Sequence, residues 1–372
     1  MSYLFLPIVL LLLLIFYMFL FSTFHHAMGG KPKGERLQKM QASPNYVNRI
    51  FENNTPTSLK MPAFSFAKIM WQWLMTGRDR IPQQPIPNLP INLEKIKNGG
   101  NEKALLCWLG HSTYIIKMHG KTFLIDPVFG ERASMFSFFG PKRFDYQYPY
   151  KTEDLPEIDA VIFTHDHYDH LDHTTAPFLK EKITRIIAPL GVGAHLERWG
   201  VSAECIEEFD WGESVQFDDN IKFTCEPTRH FAGRGFVKRF TSLWCSWVME
   251  GLEQRIFLGS DSGYFDGFEK LGKKYKTFDL VILECGAYCE YWPAIHMFPE
   301  EAAQASLDMN AKALLSVHWA KYDLSVHHWK EPIERLSHQA EQENINLLIP
   351  QIGEVFTIGE DFPKTKWFEE LD

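Results

Sequence analysis

Short apolar runs, separated by polar and glycine-containing turns, recur along the chain from residue 104 onward. In some runs apolar and polar residues alternate, as in half-buried β-strands, and others are apolar throughout, as in buried strands. His119-Gly120, between two such runs, predicts a tight turn. The pattern predicts strands at residues 104–109, 114–118, 121–125, 160–163, 185–188, 214–217, 221–225, 243–249, 255–259, 280–285 and 313–317, with a closing pair near 347–358.

Helices are predicted between blocks of strands, around residues 193–199 and 265–273, from Pro299 onward, and over 329–343. No period in the chain indicates repeats. Single helices between strand blocks favour an α/β fold in which two mixed β-sheets are flanked by helices. We expect this fold to occupy one domain over residues 104–372.

Residues 1–24 are predicted to form an N-terminal transmembrane anchor. The stretch 4–21 contains no charged residue and is long enough, as a helix, to span a hydrocarbon core of about 30 Å. A signal sequence is the alternative, but no Lys or Arg precedes Lys31 and no small-residue cleavage site follows the apolar stretch. The basic residues within 31–39 place the main domain in the cytoplasm by the positive-inside tendency.

Residues 25–103 are predicted to form a linker, because they are rich in Pro, Asn and Lys. They contain one apolar, aromatic-rich island at residues 64–75. This island predicts either a helix that lies at a membrane interface or a helix that packs on the main domain. Residues 82–87, with three prolines, indicate an extended connector.

Composition narrows the function classes. Apolar residues make up 45% of the 372 residues and aromatic residues 15%, which is enough for a large packed core. The net charge of −9 argues against a general nucleic-acid binder, which needs a basic face. The six cysteines are spread along apolar runs, so we expect free thiols in a reducing compartment.

The strongest chemical signal is a cluster of metal-ligand side chains after the predicted strand at 160–163. His165, His167, Asp169 and His170 follow this strand at the spacing His-x-His-x-Asp-His. Imidazole and carboxylate suit zinc, manganese or iron, and a strand end holds them rigidly. Packed side by side without a cation, these groups would repel one another or remain unsatisfied. The motif therefore predicts a metal site.

Three further ligand-type side chains also follow predicted strands. His230 comes shortly after the strand at 221–225, Asp261 after 255–259, and His318 after 313–317. Side chains that follow strands of one sheet can meet at one edge of the sheet. A site with two metals needs ligands from several strand ends, and these three residues can supply them.

In this arrangement the chain resembles the metallo-β-lactamase fold superfamily and, more narrowly, its N-acyl-phosphatidylethanolamine-hydrolysing phospholipase D branch. The metal motif is shared across the superfamily, whereas Gly286-Ala287-Tyr288 and His296 with Pro299-Glu300-Glu301-Ala302 are typical of the branch. Where the family usually has glycine before the aspartate, this chain has Ser260. The other matching stretches are Trp108 to Thr113, Leu124 to Phe129, His165 to Asp172, Ser260 to Tyr264 and Ser316 to Trp319.

The resemblance implies an αββα sandwich, two sheets packed face to face with helices outside, and two divalent metal ions, zinc first with iron or manganese as alternatives. It assigns three histidines to one metal, three residues to the other, and Asp261 as the bridge between them. The first set is His165, His167 and His230, and the second is Asp169, His170 and His318. The metals would share a hydroxide that attacks the substrate.

Further roles implied by the resemblance concern the surroundings of the metals. His111 and Asp126 are expected to orient ligands. His296 is the candidate for protonating the leaving group or orienting a phosphate, with a surface histidine of no such role as the alternative. Asp169 is the residue whose replacement by Asn is expected to abolish turnover.

The resulting hypothesis is a membrane-associated phosphodiesterase of the phospholipase D type that converts N-acyl-phosphatidylethanolamine into phosphatidic acid and an N-acylethanolamine. The alternatives are a metal-dependent lactonase or phosphodiesterase for a soluble metabolite and, in another class, a non-catalytic membrane scaffold. The apolar stretch 135–140 is interpreted as a wall or lid for acyl chains, or as core. The expected partners are a bilayer and its phospholipid and no nucleic acid, and the oligomeric state stays open with a homodimer as one option.

Overall fold

The computed structural model describes residues 26–62, 64–77, 79–235 and 239–371. Its α-helices are α1 (Gly34–Ala42), α2 (Ser65–Met75), α3 (Leu93–Asn98), α4 (Ala176–Lys182), α5 (Gly193–Arg198), α6 (Gly267–Tyr275), α7 (Pro299–Asp308) and α8 (Glu331–Gln342). Short 3₁₀ helices occur at Thr152–Asp154, His173–Thr175, Ala203–Cys205 and Trp367–Glu370.

Most of the β-strands follow the predicted pattern. The strands are β1 (Tyr46–Val47), β2 (Ile50–Phe51), β3 (Leu105–Trp108), β4 (Tyr114–Met118), β5 (Lys121–Ile125), β6 (Ala160–Ile162), β7 (Ile186–Pro189), β8 (Ile206–Phe209), β9 (Ser214–Gln216), β10 (Lys222–Glu226), β11 (Ser246–Glu250), β12 (Arg255–Leu258), β13 (Leu280–Glu284), β14 (Leu314–Val317), β15 (Leu347–Leu348) and β16 (Val355–Thr357). Of these, β1, β2 and β8 were not predicted.

Two seven-stranded sheets form the body of the protein. One has the order β16-β3-β4-β5-β6-β7-β8, and the other has the order β15-β14-β13-β12-β11-β10-β9. Each sheet is mixed: β3–β5 pair antiparallel and β5–β8 parallel in the first, whereas β9–β12 pair antiparallel and β12–β15 parallel in the second. The predicted fold class, an α/β sandwich of two mixed sheets with helices, is confirmed.

The two sheets meet across a buried, aromatic core. Phe123 of β5 contacts Phe223 of β10, with ring centroids 5.1 Å apart. Trp247 of β11 donates its indole N–H to the carbonyl of Phe163, just after β6, at 2.9 Å. These four side chains are fully buried, and burial of each large apolar side chain stabilises the fold by about 1.5–3 kcal/mol.

Helix α7 shows how local sequence sets an element. Pro299 is its first residue, where a missing N–H costs nothing. The side chain of Glu301 accepts a hydrogen bond from the Phe298 N–H at 2.9 Å, and the two glutamates of the first turn complement the helix dipole. The helix then packs against α6, α8 and β13, so the predicted start at Pro299 is confirmed.

Strand direction brings several strand ends to one edge of the molecule. β10 and β12 both pair antiparallel with β11, so they run the same way, and β13 and β14 are parallel to β12. The carboxyl end of β6 in the other sheet meets this edge, since Cys245 N–H donates to Thr164 O. The turn at His119-Gly120 and the loop at Leu252, which precede β5 and β12, therefore lie at the opposite edge.

The predicted closing pair near 347–358 is wrong in its partners. β15 pairs with β14 in one sheet, whereas β16 pairs with β3 in the other. Each run forms its backbone hydrogen bonds with a strand that precedes it in the sequence, β14 for β15 and β3 for β16. The local pattern of residues does not specify this choice of partner.

Residues 25–103 were predicted as a linker with a helix, and several of their described side chains pack against the domain. Ile86, Ile91 and Ile96 are buried in the main core, and Met40 and Phe51 join a second cluster near β11. Within the described residues no helix is long and apolar enough to cross a membrane. The predicted anchor over residues 1–24 lies outside the described residues.

Candidate metal centre

The loop after β6 presents its ligand-type side chains on a tight turn. β6 is apolar and completely buried, so the chain can become polar only where the strand ends. The N–H groups of His170 and Leu171 both donate to His167 O, at 3.1 and 2.8 Å. This turn brings His165, His167, Asp169 and His170 together at the sheet edge.

Three histidine nitrogens face one another in a first cluster. His165 Nε2 lies 3.0 Å from His167 Nδ1, which lies 3.2 Å from His230 Nε2. Ligand nitrogens around a tetrahedral zinc ion with bonds of about 2.0–2.1 Å are about 3.3 Å apart, close to these separations. These three residues and Asp261 form a group able to hold one metal ion.

A second cluster lies beside the first and contains Asp169, His170, His318 and His111. Asp169 Oδ2 lies 3.3 Å from His318 Nε2, 3.8 Å from His170 Nε2 and 3.0 Å from His111 Nε2. His111 was expected to orient a ligand, and the structure places it within reach of the same cation as the ligands. Its position is thus that of a ligand, whereas the orienting role stays a prediction.

Asp261 contacts both clusters. Its Oδ2 lies 3.1 Å from His318 Nε2, 3.7 Å from His230 Nε2 and 3.8 Å from His165 Nε2. Its Oδ1 lies 3.2 Å from His170 Nε2. The carboxylate thus lies between the two clusters.

The buried ligand atoms of the two clusters are better satisfied by a bound cation than by contacts among themselves. His170 Nε2 and His318 Nε2 are buried, and although each lies 3.1–3.2 Å from an oxygen of Asp261, neither has hydrogen-bond geometry with a described residue, a costly state unless something binds them. Burial lowers the pKa of His165 and of His230 well below the ordinary value. Neutral imidazole is the form that binds metal.

The carboxylates of the site interact strongly with the buried histidines. Burial opposes ionisation of Asp261, but His170 and His318 outweigh it and lower its pKa well below the ordinary value. Burial by itself would lower the pKa of His318, but the carboxylates of Asp261, Asp169 and Glu284 raise it to about 10. A proton and a metal ion therefore compete for the same nitrogen of this residue.

Asp126 contacts the Nδ1 side of the His170 ring, and its orienting role stays a prediction. Its Oδ2 lies 2.8 Å from His170 Nδ1, and it also accepts hydrogen bonds from the N–H and hydroxyl of Thr164 at 2.9 and 2.6 Å. With a proton held on Nδ1, the Nε2 of His170 is free for a metal.

Ser260, which replaces the usual glycine, has a contact of the same kind. Its hydroxyl lies 3.3 Å from His165 Nδ1, and the Thr164 hydroxyl lies 3.1 Å from the same atom. Either hydroxyl oxygen can accept a hydrogen bond from the Nδ1–H of His165, which leaves Nε2 free for the metal. The departure from the family pattern therefore adds a second hydroxyl beside His165.

Glu284 is a buried site residue that the sequence reasoning missed. Its Oε2 lies 2.8 Å from His296 Nδ1 and 3.6 Å from His318 Nδ1, while Oε1 accepts the N–H groups of Ser262 and Met297. Glu284 is the last residue of the buried strand β13. The rule that selected Asp261 and His318, a ligand-type residue at the end of a buried strand, could also have found it.

His296 is part of this edge of the molecule. Its ring centroid is 5.1 Å from that of His230 and 5.3 Å from that of His318, and 12% of its side chain is exposed. It is therefore placed beside both clusters with a route to solvent, as a group that meets substrate must be.

Several residues at the site have an unusual backbone conformation. His111, Asp126, Ala287 and His318 all have positive φ, at 54°, 40°, 58° and 66°. Non-glycine residues rarely adopt this region, and where they do the surrounding structure enforces it, often at functional sites.

Comparison with known proteins identifies the family of the chain. The sequence profile of the Beta-lactamase superfamily domain matches residues 121–319. An uncharacterized protein of Mycobacterium tuberculosis strain H37Rv is 38% identical over 84% of this chain and 84% of its own length. The N-acyl-phosphatidylethanolamine-hydrolyzing phospholipase D 1 of Caenorhabditis elegans is 33% identical over 67% of this chain and 73% of its own length.

A solved structure shares the fold. The isothiocyanate hydrolase from Delia radicum gut bacteria aligns with a TM-score of 0.56 at 22% identity, covering 68% of this chain and 99% of that one. The sandwich, the ligand clusters and the profile match lead to one conclusion. The chain belongs to the metallo-β-lactamase superfamily and is a metal-dependent hydrolase.

Proposed function

We propose that this hydrolase cleaves the phosphodiester of N-acyl-phosphatidylethanolamine and releases phosphatidic acid and an N-acylethanolamine. The observation that carries the proposal is the position of Asp261 between two ligand clusters, which suits two divalent ions, zinc before iron or manganese. Two adjacent cations suit in-line displacement at phosphorus. A relative at 33% identity is named for this activity.

The two clusters would each hold one metal ion. The first cluster and Asp261 would hold one ion, and Asp169, His170 and His318 the other, with His111 next to them. When bound, the ions would polarise the phosphoryl oxygens and lower the pKa of a shared water. Water adds to phosphorus, the bond from phosphorus to the ethanolamine oxygen breaks, and that oxygen takes up a proton.

His296 is our candidate for delivering that proton or for orienting the phosphate. Glu284 holds its Nδ1 at 2.8 Å, which leaves Nε2 available. An apolar ring, Phe231, lies beside the ligands, with centroids 4.5 Å from His167 and 4.9 Å from His230. An apolar neighbour favours a lipid over a highly polar metabolite.

The test combines metal content and turnover in one purified, zinc-loaded sample. In ¹⁸O-water, attack at phosphorus labels the phosphatidic acid and leaves the N-acylethanolamine unlabelled. We expect two zinc ions per chain, and Asp169→Asn should abolish turnover while Asp159→Asn, at the opposite edge, should not. A protein that opens a sugar lactone and ignores the lipid would overturn the substrate, and one ion per chain would overturn the dinuclear site.

We further propose that residues 1–24 anchor the enzyme, with the catalytic domain in the cytoplasm. The support is the uncharged stretch 4–21 and the basic residues after it. Protease treatment of sealed inverted vesicles should digest the domain, whereas protection of the domain would reverse the orientation. Recovery of the chain in the soluble fraction would exclude an anchor.

A further inference from the structure

Helix α2 exposes its apolar side chains. Phe66, Trp71, Leu74 and Met75 are 64–69% exposed, and Ser65 is the one buried residue of the helix. A surface helix of a globular protein normally shows the reverse arrangement, with its apolar stripe facing the core. So large an exposed apolar surface marks a binding site for a partner.

The helix is held firmly in this position. Arg80 donates to Trp73 O and to the Thr76 hydroxyl, at 2.5 and 2.7 Å, and pairs with the Asp323 carboxylate at 3.1 Å. Its guanidinium also stacks 4.8 Å from the ring of Trp73. The carboxyl end of α2 is thus fastened to the domain, and the outward apolar face belongs to the folded structure.

A second apolar element lies across a groove from α2. Phe138 and Phe139, from the stretch interpreted as a wall, lid or core, are 62% and 69% exposed. They line, together with Ile69 and Trp73 of α2, a groove of about 550 Å³ whose other walls include Trp292 and residues 323–326. Helix and loop therefore form one surface, which we call the apolar rim.

Basic side chains outnumber acidic ones on the apolar rim. The helix has no acidic residue in its first turn and contains Lys68 alone among charged residues. Arg132 and Lys142 line the groove itself, and Asp323, the one acid among the described residues that line it, is paired with Arg80. An apolar, tryptophan-containing face with basic residues around it complements the acyl–headgroup boundary of an anionic bilayer.

The groove is next to the metal centre. Residues 323–325 also line a small cavity with the ligand His318 and with Ala287. Trp292 donates its indole N–H to Ala287 O at 2.8 Å, in the loop that leads to His296. A lipid held at the apolar rim would thus lie close to the catalytic residues.

We propose that the apolar rim docks on a lipid bilayer, with α2 and Phe138-Phe139 inserted at the acyl–headgroup boundary and the groove open to an acyl chain from the membrane. Entry of an acyl chain into the groove rests on the proposed function, which makes the substrate a lipid. Docking itself does not depend on turnover. The rim is distinct from the predicted anchor at residues 1–24, since it sets how the domain faces the membrane.

Tryptophan fluorescence can test docking in the full chain. All eleven tryptophans follow residue 70, so the predicted anchor adds no signal, and Trp71 and Trp73 are the tryptophans with large exposed surface in the described residues. In phosphatidylcholine–phosphatidylserine vesicles with brominated acyl chains, we expect quenching. Trp71→Phe with Trp73→Phe removes the two exposed indoles and should abolish most of the quenching, and quenching that is absent, or unchanged in this variant, would overturn the proposal.

A matched pair of double variants tests the apolar contacts. Leu74→Ser with Phe139→Ser removes two side chains of the rim, whereas Leu252→Ser with Phe362→Ser removes two exposed side chains elsewhere, Leu252 being 69% exposed like Leu74. We expect the rim variant to lose about tenfold in turnover on vesicles, since two apolar groups no longer leave water. Turnover of a short-chain, monomeric phosphodiester should be unchanged, and the control pair should resemble the wild type.

The remaining outcomes separate this proposal from its competitors. If the rim variant changes the protein from dimer to monomer in sedimentation and leaves quenching unchanged, a second copy covers the face and docking is wrong. If vesicles quench the wild type and Asp169→Asn equally but the wild type does not hydrolyse the lipid, the proposed substrate is wrong and docking stands. Equal loss of turnover on vesicles and on the monomeric substrate would assign the rim to fold stability instead.

Discussion

The carboxylate of Glu284 holds the ring of His296, with Oε2 2.8 Å from Nδ1. We expect Glu284→Gln to reduce kcat by about 10–100-fold, the usual effect of removing such an orienting partner. Because Oε2 is 3.6 Å from His318 Nδ1, metal affinity should fall less than kcat. Steady-state kinetics and a zinc titration on the same sample measure both, with Glu253→Gln in an exposed loop as the control; unchanged kcat would contradict the role of Glu284.

Asp126 should control metal affinity through His170. In Asp126→Asn an amide N–H₂ can face His170 Nδ1, which favours the tautomer with the proton on Nε2, the metal-binding nitrogen. We expect zinc affinity to fall by about 10–100-fold. Competition with a chelating dye measures it. Asp159→Asn, whose carboxylate accepts the Thr122 N–H at the far edge, should keep the wild-type affinity, and equal losses in both variants would point to general destabilisation.

Zinc binding near neutral pH should release protons. In the metal-free protein the surrounding carboxylates raise the pKa of His318 to about 10, so this imidazole is charged at pH 7 and must lose its proton to bind zinc. Apparent affinity should therefore rise with pH up to about 10. Calorimetry in buffers of different ionisation enthalpy counts the protons, and a binding enthalpy independent of the buffer would contradict the prediction.

Gly110, next to His111, should tolerate no side chain. Its φ is +87°, and a Cβ would overlap the hydroxyl of Tyr146. Gly212 has a similar φ of +84° with open space around it, so Gly212→Ala isolates the backbone cost of about 1 kcal/mol. We expect Gly110→Ala to lower the free energy of unfolding by about 2–4 kcal/mol. Denaturant unfolding of both variants measures the difference, and equal losses would mean that Tyr146 moves aside.

Lys321 should make stability depend on pH. It is buried, with one hydrogen bond to Val128 O at 2.9 Å, and burial, aided by Arg143, lowers its pKa from 10.5 to about 7. Between these values the unfolded chain binds more protons, so stability should rise with pH from about 7 to about 10.5.

The comparison for Lys321 is with Lys321→Met, which has no titratable group. The free energy of unfolding of the wild type relative to the variant should increase by on the order of a few kcal/mol across that interval. Unfolding curves for both proteins at several pH values measure it. A constant difference between them would show that this amine keeps its ordinary pKa in the fold.

Much of the site was predictable because its information is local. The ligands of the loop after β6 adjoin one another in sequence, and His230, Asp261 and His318 each follow a run whose apolar character predicts a buried strand. Their side-chain chemistry allows few uses besides metal binding. The strands themselves were predictable for the same reason, since the side-chain period of a strand is read within a few residues.

Other features depended on which distant segments meet. His111 lies within reach of Asp169 because β3 and β14 end, and β4 begins, at one edge, and Glu284 holds His296 across a loop. Strands β15 and β16 join different sheets, and α2 turns its apolar face outward although its sequence also suited a buried helix.

By itself, then, the sequence determined most of the strands, the α/β fold class and the ligand-type residues after β6, β10, β12 and β14, and the family resemblance implied how these ligands divide around Asp261. Only the tertiary structure decided that His111 lies beside Asp169, which acid supports His296, and which apolar residues remain exposed. The physical reason is that periodicity and ligand chemistry are properties of neighbouring residues. Pairing between strands and burial of a face are set by the free energy of the whole fold.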